Sequence, residues 1–221
     1  MNIFIVGLGK LANAILTSDF SHQSCGNVLK WDTKFQHIQE KAIVVHAGSG
    51  RQLQECIEFC SKTKSVLIEL STGLKTEDIE PDFPLIICPN TSMIVLSTLK
   101  MIGVNSRYLE NYEISIMESH QSTKTTEAGT AIAFANALKL PLDKIKSIRD
   151  SKVQENEIKI PKEYLSKHAF HRIVIKDDDE EIIIETRILG HNSYAKGVKK
   201  IIEKILESNL ADKKYNVWEI I

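Results

Sequence analysis

The sequence predicts an α/β chain built on a parallel, doubly wound sheet. Three observations predict it. Short apolar runs alternate with amphipathic stretches from Asn2 to Cys88. The first run leads straight into Gly7-Leu8-Gly9-Lys10-Leu11-Ala12. Successive runs end in small polar turns: Ala47-Gly48-Ser49-Gly50, Ser71-Thr72-Gly73 and Pro89-Asn90-Thr91-Ser92. Alternation of strand and helix implies parallel neighbours joined by crossovers.

Asn2 to Val6 is almost wholly apolar, as a strand buried on both faces must be. The G-x-G-x-x-A that follows opens a helical stretch with Leu11, Ala14 and Ile15 on one face. Each small residue has a job in a dinucleotide loop. Gly7 permits the tight turn, Gly9 lets the backbone approach a pyrophosphate, and Ala12 keeps helix and strand close. The helix start offers free N–H groups to phosphate. Asn27 to Trp31 reads as the second strand. Asp32 follows, 25 residues after Gly7. An acid there holds adenosine ribose hydroxyls and favours NAD. Lys34 is near enough to take a 2′-phosphate, so NADP stays open, and a turn Asp capping a local N–H is the plainer alternative. Ala42 to His46 is a third strand, and a helix follows with Leu53, Cys56, Ile57 and Cys60 on one face. Ser65 to Leu70 and Leu85 to Cys88 are the fourth and fifth. Ligands of open α/β sheets lie across the carboxyl ends of the strands, so the turns after these strands are candidates to line the nicotinamide end of a cofactor.

Met93 to Val104 reads as a helix and Tyr112 to Met117 as a strand. The polar stretch from Glu118 follows, before a helix from Ala131 to Leu138. It sets a titratable acid, His120, near a fixed cation, Lys124, and a Gly129-Thr130 helix start. That combination suits protonating and holding an anionic substrate. A loop without chemistry is the plain alternative. The segment 144–167 has a weak pattern and reads as loop with short structure. Phe170 to Ile175 and Glu181 to Leu189 form a hairpin around Asp177-Asp178-Asp179, a solvated turn or, less simply, a metal site. Ser193 to Asn209 is an amphipathic helix. The tail from Tyr215 to Ile221 packs back on the body or onto a partner chain.

Composition excludes several classes. The net charge of −1 gives no electrostatic case for nucleic acid or a membrane surface. No run approaches about 20 apolar residues, the length of a membrane span. Met1 to Leu16 lacks the basic start and small-residue cleavage site of a secretory signal. Cys25, Cys56, Cys60 and Cys88 are scattered, without a ligand pair beside them. Free thiols in a reduced, cytoplasmic protein and no metal site are the expectation.

With these pieces together, the chain resembles the dihydrodipicolinate reductase family over most of its length. Gly7 to Ala12 is similar to the family's dinucleotide loop. Ser71-Thr72-Gly73 resembles its Thr-Thr-Gly turn, and Asn90-Thr91-Ser92 its Asn-Phe-Ser. Glu118-x-His120-x-x-x-Lys124 matches the spacing of its Glu-x-His-His-x-x-Lys, and Gly129-Thr130-Ala131 the end of its Asp-Ala-Pro-Ser-Gly-Thr-Ala. Tyr194-Ala195-x-Gly197 looks like the start of its last helix. Departures are plain: Gln121 stands for the second His, Glu127-Ala128 for Pro-Ser, and His191 for an Arg, and the loop before Gly129 is one residue shorter.

The resemblance implies a Rossmann-type dinucleotide domain with a parallel sheet (residues 1–91 and 192–221). It also implies an inserted α+β domain with a mixed open sheet (92–191) for substrate binding and oligomerisation. It implies reduction of 4-hydroxy-tetrahydrodipicolinate, or the dihydrodipicolinate derived from it, to tetrahydrodipicolinate in lysine and diaminopimelate biosynthesis. The reductant would be NADH or NADPH. His120 would donate a proton and Lys124 would bind a substrate carboxylate, helped by Gln121, Gly129 and Thr130. Cofactor contacts would come from Gly7, Gly9, Lys10, Leu11, Asp32, Ser71, Thr72, Gly73, Asn90 and Ser92. The partner is then a small carboxylate-bearing substrate, in a homotetramer. Another imine or amino acid as substrate, or a dinucleotide-binding protein without activity, are the alternatives.

Overall fold

The computed structural model describes residues 1–20, 26–124 and 128–221. The chain divides into two compact units, Met1–Ser92 with Asn192–Ile221, and Met93–His191. Among the described residues no helix is long and apolar enough to cross a membrane.

The first unit holds strands β1 (Asn2–Val6), β2 (Val28–Lys30), β3 (Ala42–His46), β4 (Val66–Glu69) and β5 (Leu85–Ile87). Helices α1 (Lys10–Leu16) and α2 (Leu53–Thr63) connect them. Every pairing is parallel, in the order β10-β5-β4-β3-β1-β2, where β10 is Lys214–Asn216. The α/β class and parallel sheet expected of the sequence are therefore what the chain forms. Ile3 to Val6 and Ala42 to Val45 are buried because these strands sit at the middle of the sheet. Phe4 anchors the core, stacked on Phe35 at 4.7 Å and edge-on to Trp31 at 5.6 Å.

The tail takes the first of its two options. Three residues add a sixth strand beside β5, and Tyr215, Val217 and Ile220 are buried. Helix α6 (Asn192–Leu206) seats against the turn before the second unit. Gly197 allows it, since a Cβ there would lie 1.5 Å from the Thr91 carbonyl oxygen. The Thr91 hydroxyl donates to the Tyr194 carbonyl at 2.9 Å. Cys56, Cys60 and Cys88 are buried free thiols. Burial raises their pKa, that of Cys88 to about 12, so they serve packing. Cys25 lies outside the described residues.

The second unit holds helices α3 (Met93–Asn105), α4 (Gly129–Ala137) and α5 (Ser151–Asn156). Its strands are β6 (Glu113–His120), β7 (Ile145–Ile148), β8 (His168–Lys176) and β9 (Glu181–Leu189). They form a mixed sheet, β7-β6-β8-β9, in which only β6 and β7 run parallel. The predicted hairpin is β8–β9, with the acidic residues in its exposed turn.

Two boundaries differ from expectation. The sequence places the strand end at Met117, yet β6 continues through His120, paired to β8 as far as Ala169. Glu118 can sit buried in the continued strand because His120 and Arg149 pair its carboxylate. The segment 144–167 is not mainly loop. It contains β7 and α5, the latter capped by the Asp150 carboxylate, which accepts from Lys152 and Val153. β7 is an edge strand of four residues and α5 has fewer than two turns, so neither carries a readable period.

Register sorts the side chains of this sheet. Ile145, Ile116, Ile173 and Ile184 form one row across all four strands. Ser147, Glu118, His171 and Thr186 form the next row on the same face. The opposite face carries Phe170 and Met117 and is covered by Ile158, Ile160 and Leu165.

Candidate active site

In the first unit the glycine loop has the shape its sequence requires. Gly7 sits at φ +134°, and a Cβ there would lie 2.5 Å from the Ala47 carbonyl oxygen. Gly9 is the N-cap of α1, with no heavy atom within 4 Å of where a Cβ would project. Lys10 and Leu11 open the helix, whose first amides lack intrahelical acceptors. Ala12 is fully buried against the strand. Open space before Gly9 and free amides beside it fit a dinucleotide pyrophosphate. The two glycines should separate on substitution. Gly7→Ala is expected to cost about 1–3 kcal/mol of stability from forced backbone strain, and Gly9→Ala at most about 1 kcal/mol. Urea midpoints check this; equal losses would contradict the assignment of Gly7 to the turn and Gly9 to a ligand.

Asp32 stands at the end of β2. Its Oδ1 accepts from the Lys34 amide at 3.0 Å, and Oδ2 lies 3.5 Å from Lys34 Nζ. The amide hydrogen bond and the lysine charge hold its pKa below the usual range. The turn-capping role thus exists, and the carboxylate remains exposed and ionised.

The turns after β4 and β5 are polar and tied down. Gly73 is left-handed at φ +68°, its amide donating to Glu77 at 2.8 Å, and Thr72 is exposed. The Asn90 side chain accepts from the Ser92 amide at 2.8 Å, and both residues are buried. Sequence reasoning missed what lies beneath Ser71. His46 and Glu69 end β3 and β4 as register partners, and both are fully buried. His46 Nδ1 is 2.8 Å from Glu69 Oε1, which also accepts from the Ser71 amide at 2.8 Å. The Ser71 hydroxyl donates to the Gly48 carbonyl. This pair rivets the turns after β3 and β4 to each other.

In the second unit the structure pairs His120 with Glu118 of the same motif and surrounds the pair with Arg149 and Gln154, which no motif announced. His120 Nδ1 is 2.6 Å from Glu118 Oε2. Strand geometry causes it, since residues two apart point to one face. Arg149, just beyond β7, reaches the same carboxylate twice: Nη2 to Oε1 at 2.7 Å and Nη1 to Oε2 at 3.1 Å. Burial pushes the Glu118 pKa up, but hydrogen bonds from His120, Arg149 and Ser147 and the His120 charge outweigh it, leaving it at about 2. The ionised carboxylate accepts a hydrogen bond from Nδ1–H and leaves Nε2 of His120 for chemistry. Gln154 on α5 donates to the His120 carbonyl at 2.7 Å, fixing the backbone there.

Lys124 is half-buried, and its pKa is lowered by that burial and by the Arg149 charge, against the pull of Glu118. Its amide closes a turn onto the Gln121 carbonyl at 2.9 Å. Residues 125–127, where the shortened loop lies, are outside the described residues. Gly129 and Thr130 form the first turn of α4, which Ala128 caps without a side-chain hydrogen bond. A cavity of about 170 Å³ has Glu118 in its wall and is lined also by Ala128, Ala131, Ile132, Leu142, Ile145 and Ser147. The predicted His120, Lys124, Gly129 and Thr130 thus belong to one unit, while the predicted cofactor residues belong to the other. Among the described residues no cluster of His, Cys, Asp or Glu suits a metal ion.

Comparison with known proteins gives concordant matches. The family model described as dihydrodipicolinate reductase, C-terminus, matches residues 95–220. A rice (Oryza sativa) protein named probable 4-hydroxy-tetrahydrodipicolinate reductase 1, chloroplastic, is 30% identical over 120 residues, covering 50% of this chain and 35% of that one. The enzyme named 4-hydroxy-tetrahydrodipicolinate reductase from Chlamydia trachomatis is 22% identical over 191 residues, covering 78% of this chain and 71% of that one. The matches to the plant relatives span 27–35% of those proteins' length. A solved dihydrodipicolinate reductase with dipicolinate bound, from Paenisporosarcina, has the same fold: TM-score 0.68 and 13% identity, covering 97% of each chain.

Proposed function

The chain belongs to the dihydrodipicolinate reductase family, and from that premise we propose that it reduces 4-hydroxy-tetrahydrodipicolinate, or the dihydrodipicolinate formed from it, to tetrahydrodipicolinate. The observation that carries this is the Glu118–His120 pair, 2.6 Å apart, which frees Nε2 as a proton donor. Bound NADH or NADPH supplies the hydride. The residues of this chain do the rest. Gly7, Gly9, Lys10 and Leu11 hold the pyrophosphate at the start of α1, and Asp32 takes the ribose hydroxyls. Lys34 beside Asp32 is near enough to accept a 2′-phosphate instead. Ser71, Thr72, Gly73, Asn90 and Ser92 line the carboxyl ends of β4 and β5. Hydride addition to C=N or conjugated C=C leaves negative charge on nitrogen or carbon, and His120 Nε2 relieves it with a proton. Lys124 and the amides of Gly129 and Thr130 clamp a substrate carboxylate, with Gln121 as a neutral hydrogen-bonding neighbour. The site thus serves lysine and diaminopimelate biosynthesis in the cytoplasm, in a homotetramer.

The test couples the protein to dihydrodipicolinate synthase fed pyruvate and aspartate semialdehyde, and follows loss of reduced nicotinamide with NADH and with NADPH. Turnover with either is the expected result. No rate with both removes this substrate. The second reading, another imine or an amino acid, rests on Gln121, which lacks the charge a second His could carry. It predicts NADH binding by fluorescence without that turnover.

A further inference from the structure

The polar row Ser147–Glu118–His171–Thr186 crosses the whole four-stranded sheet beside a row of four isoleucines. Buried polar groups in an apolar face cost free energy unless they are paired. Glu118 is paired three ways and Thr186 once. His171 is only half-satisfied. Its Nδ1 is 2.9 Å from Thr186 Oγ1, while Nε2 is buried with no hydrogen-bond partner among the described residues. The ring is edge-on to His120, centroids 5.7 Å apart at 71°. Its other neighbour is Phe134 of α4 at 5.8 Å.

We propose, resting on the assignment of His120 as proton donor, that His171 is a positioning residue that holds the His120 ring in its reactive orientation. One hydrogen bond to Glu118 fixes His120 Nδ1 but leaves the ring free to swing about that bond. A second ring against its flank removes this freedom. Thr186 holds the plane of His171, and Phe134 closes the other side. Burial lowers the His171 pKa to about 3, and the His120 charge acts in the same direction, so the backing ring is neutral when His120 carries its proton. A neutral ring there places no charge against the His120 cation, whereas a second imidazolium would repel it. The family motif carries its second His next to the first. Here that position is Gln121, and an imidazole reaches His120 from β8.

The experiment uses the full chain with His171→Ala, His171→Phe and Thr186→Val. Two quantities are read: steady-state kinetics, and the ring Nδ1–H proton of His120 by NMR, which needs no substrate. His171→Ala is expected to lower kcat by about 10- to 100-fold, the scale of a misoriented catalytic group, with KM nearly unchanged and the His120 Nδ1–H signal broadened. His171→Phe restores the flanking ring and is expected to recover most of kcat and a sharp signal. Thr186→Val keeps shape and loosens His171, giving a milder form of the alanine phenotype; it decides the matter if His171→Ala does not fold. Sharp signals with unaltered kcat in Ala or Val variants overturn the proposal. So does equal damage in Phe and Ala with a sharp signal in both, which would place His171 Nε2 on the substrate. If the wild type shows no turnover, the proposed reaction fails, and the NMR comparison still decides the role of His171.

Discussion

His120→Gln is expected to lower kcat by about 10²–10⁴-fold, the usual contribution of a general acid. That equals roughly 3–5 kcal/mol of barrier. Glutamine keeps the length and polarity of the side chain and can still donate to Glu118. It cannot deliver a proton from the position of Nε2. In the proposed reaction carboxylate binding is assigned to Lys124, Gly129 and Thr130, so KM is expected to change little. Glu118 keeps both hydrogen bonds from Arg149, so the fold should survive, and thermal unfolding checks that loss of turnover is not loss of protein. Turnover within a few-fold of wild type would remove His120 from the chemistry. A large rise in KM at unchanged kcat would make it a binding group instead.

What the sequence discloses depends on how local the cause is. Asn2 to Gly9 is legible because buried strand, turn glycine and helix start follow one another within a few residues. Ala42 to His46 is legible because a wholly apolar run has few alternatives. The β8–β9 hairpin is legible from two strand-like runs joined by an acidic turn. Contacts set by register are different. Arg149 meets Glu118 only because β7 pairs beside β6, and four residues reading Ile-Lys-Ser-Ile show no clear alternation to announce that strand. His171 meets the row of Glu118 only through the pairing of β6 with β8, and a slip of one residue would send it to the other face. The His46–Glu69 pair is invisible for the same reason, since each reads singly as a strand end. β10 has three residues and pairs with β5 across the whole second unit, so nothing local marks it. Glu118 and His120 can be read together because they lie two apart on one strand, whereas Arg149, Gln154 and His171 come within reach only through the fold.

Glu118→Gln carries the largest expected effect on stability. The folded carboxyl titrates at about 2 and its ordinary value is 4.5. Because the folded value is the lower one, the unfolded chain takes up the proton first as pH falls. The stabilisation is fully present above about pH 4.5 and disappears as pH drops towards about 2. The difference corresponds to roughly 3 kcal/mol. At neutral pH the variant leaves the partly buried Arg149 without its carboxylate, and the expected loss is about 3–5 kcal/mol, as for other buried pairs broken on one side. In acid the wild type loses the same interaction, so the two proteins converge. Urea midpoints at about pH 7, 4 and 2.5 test this. Stability curves that stay parallel across that range would mean Glu118 is not the group that couples this site to pH. Arg149→Met approaches the same bond from the other side. It leaves Glu118 buried with only His120 and Ser147, so the folded carboxyl should titrate nearer its ordinary value and the acid limb should shrink here too. A flattened acid limb in both variants, with no further flattening when the two are combined, is what a single shared ion pair requires.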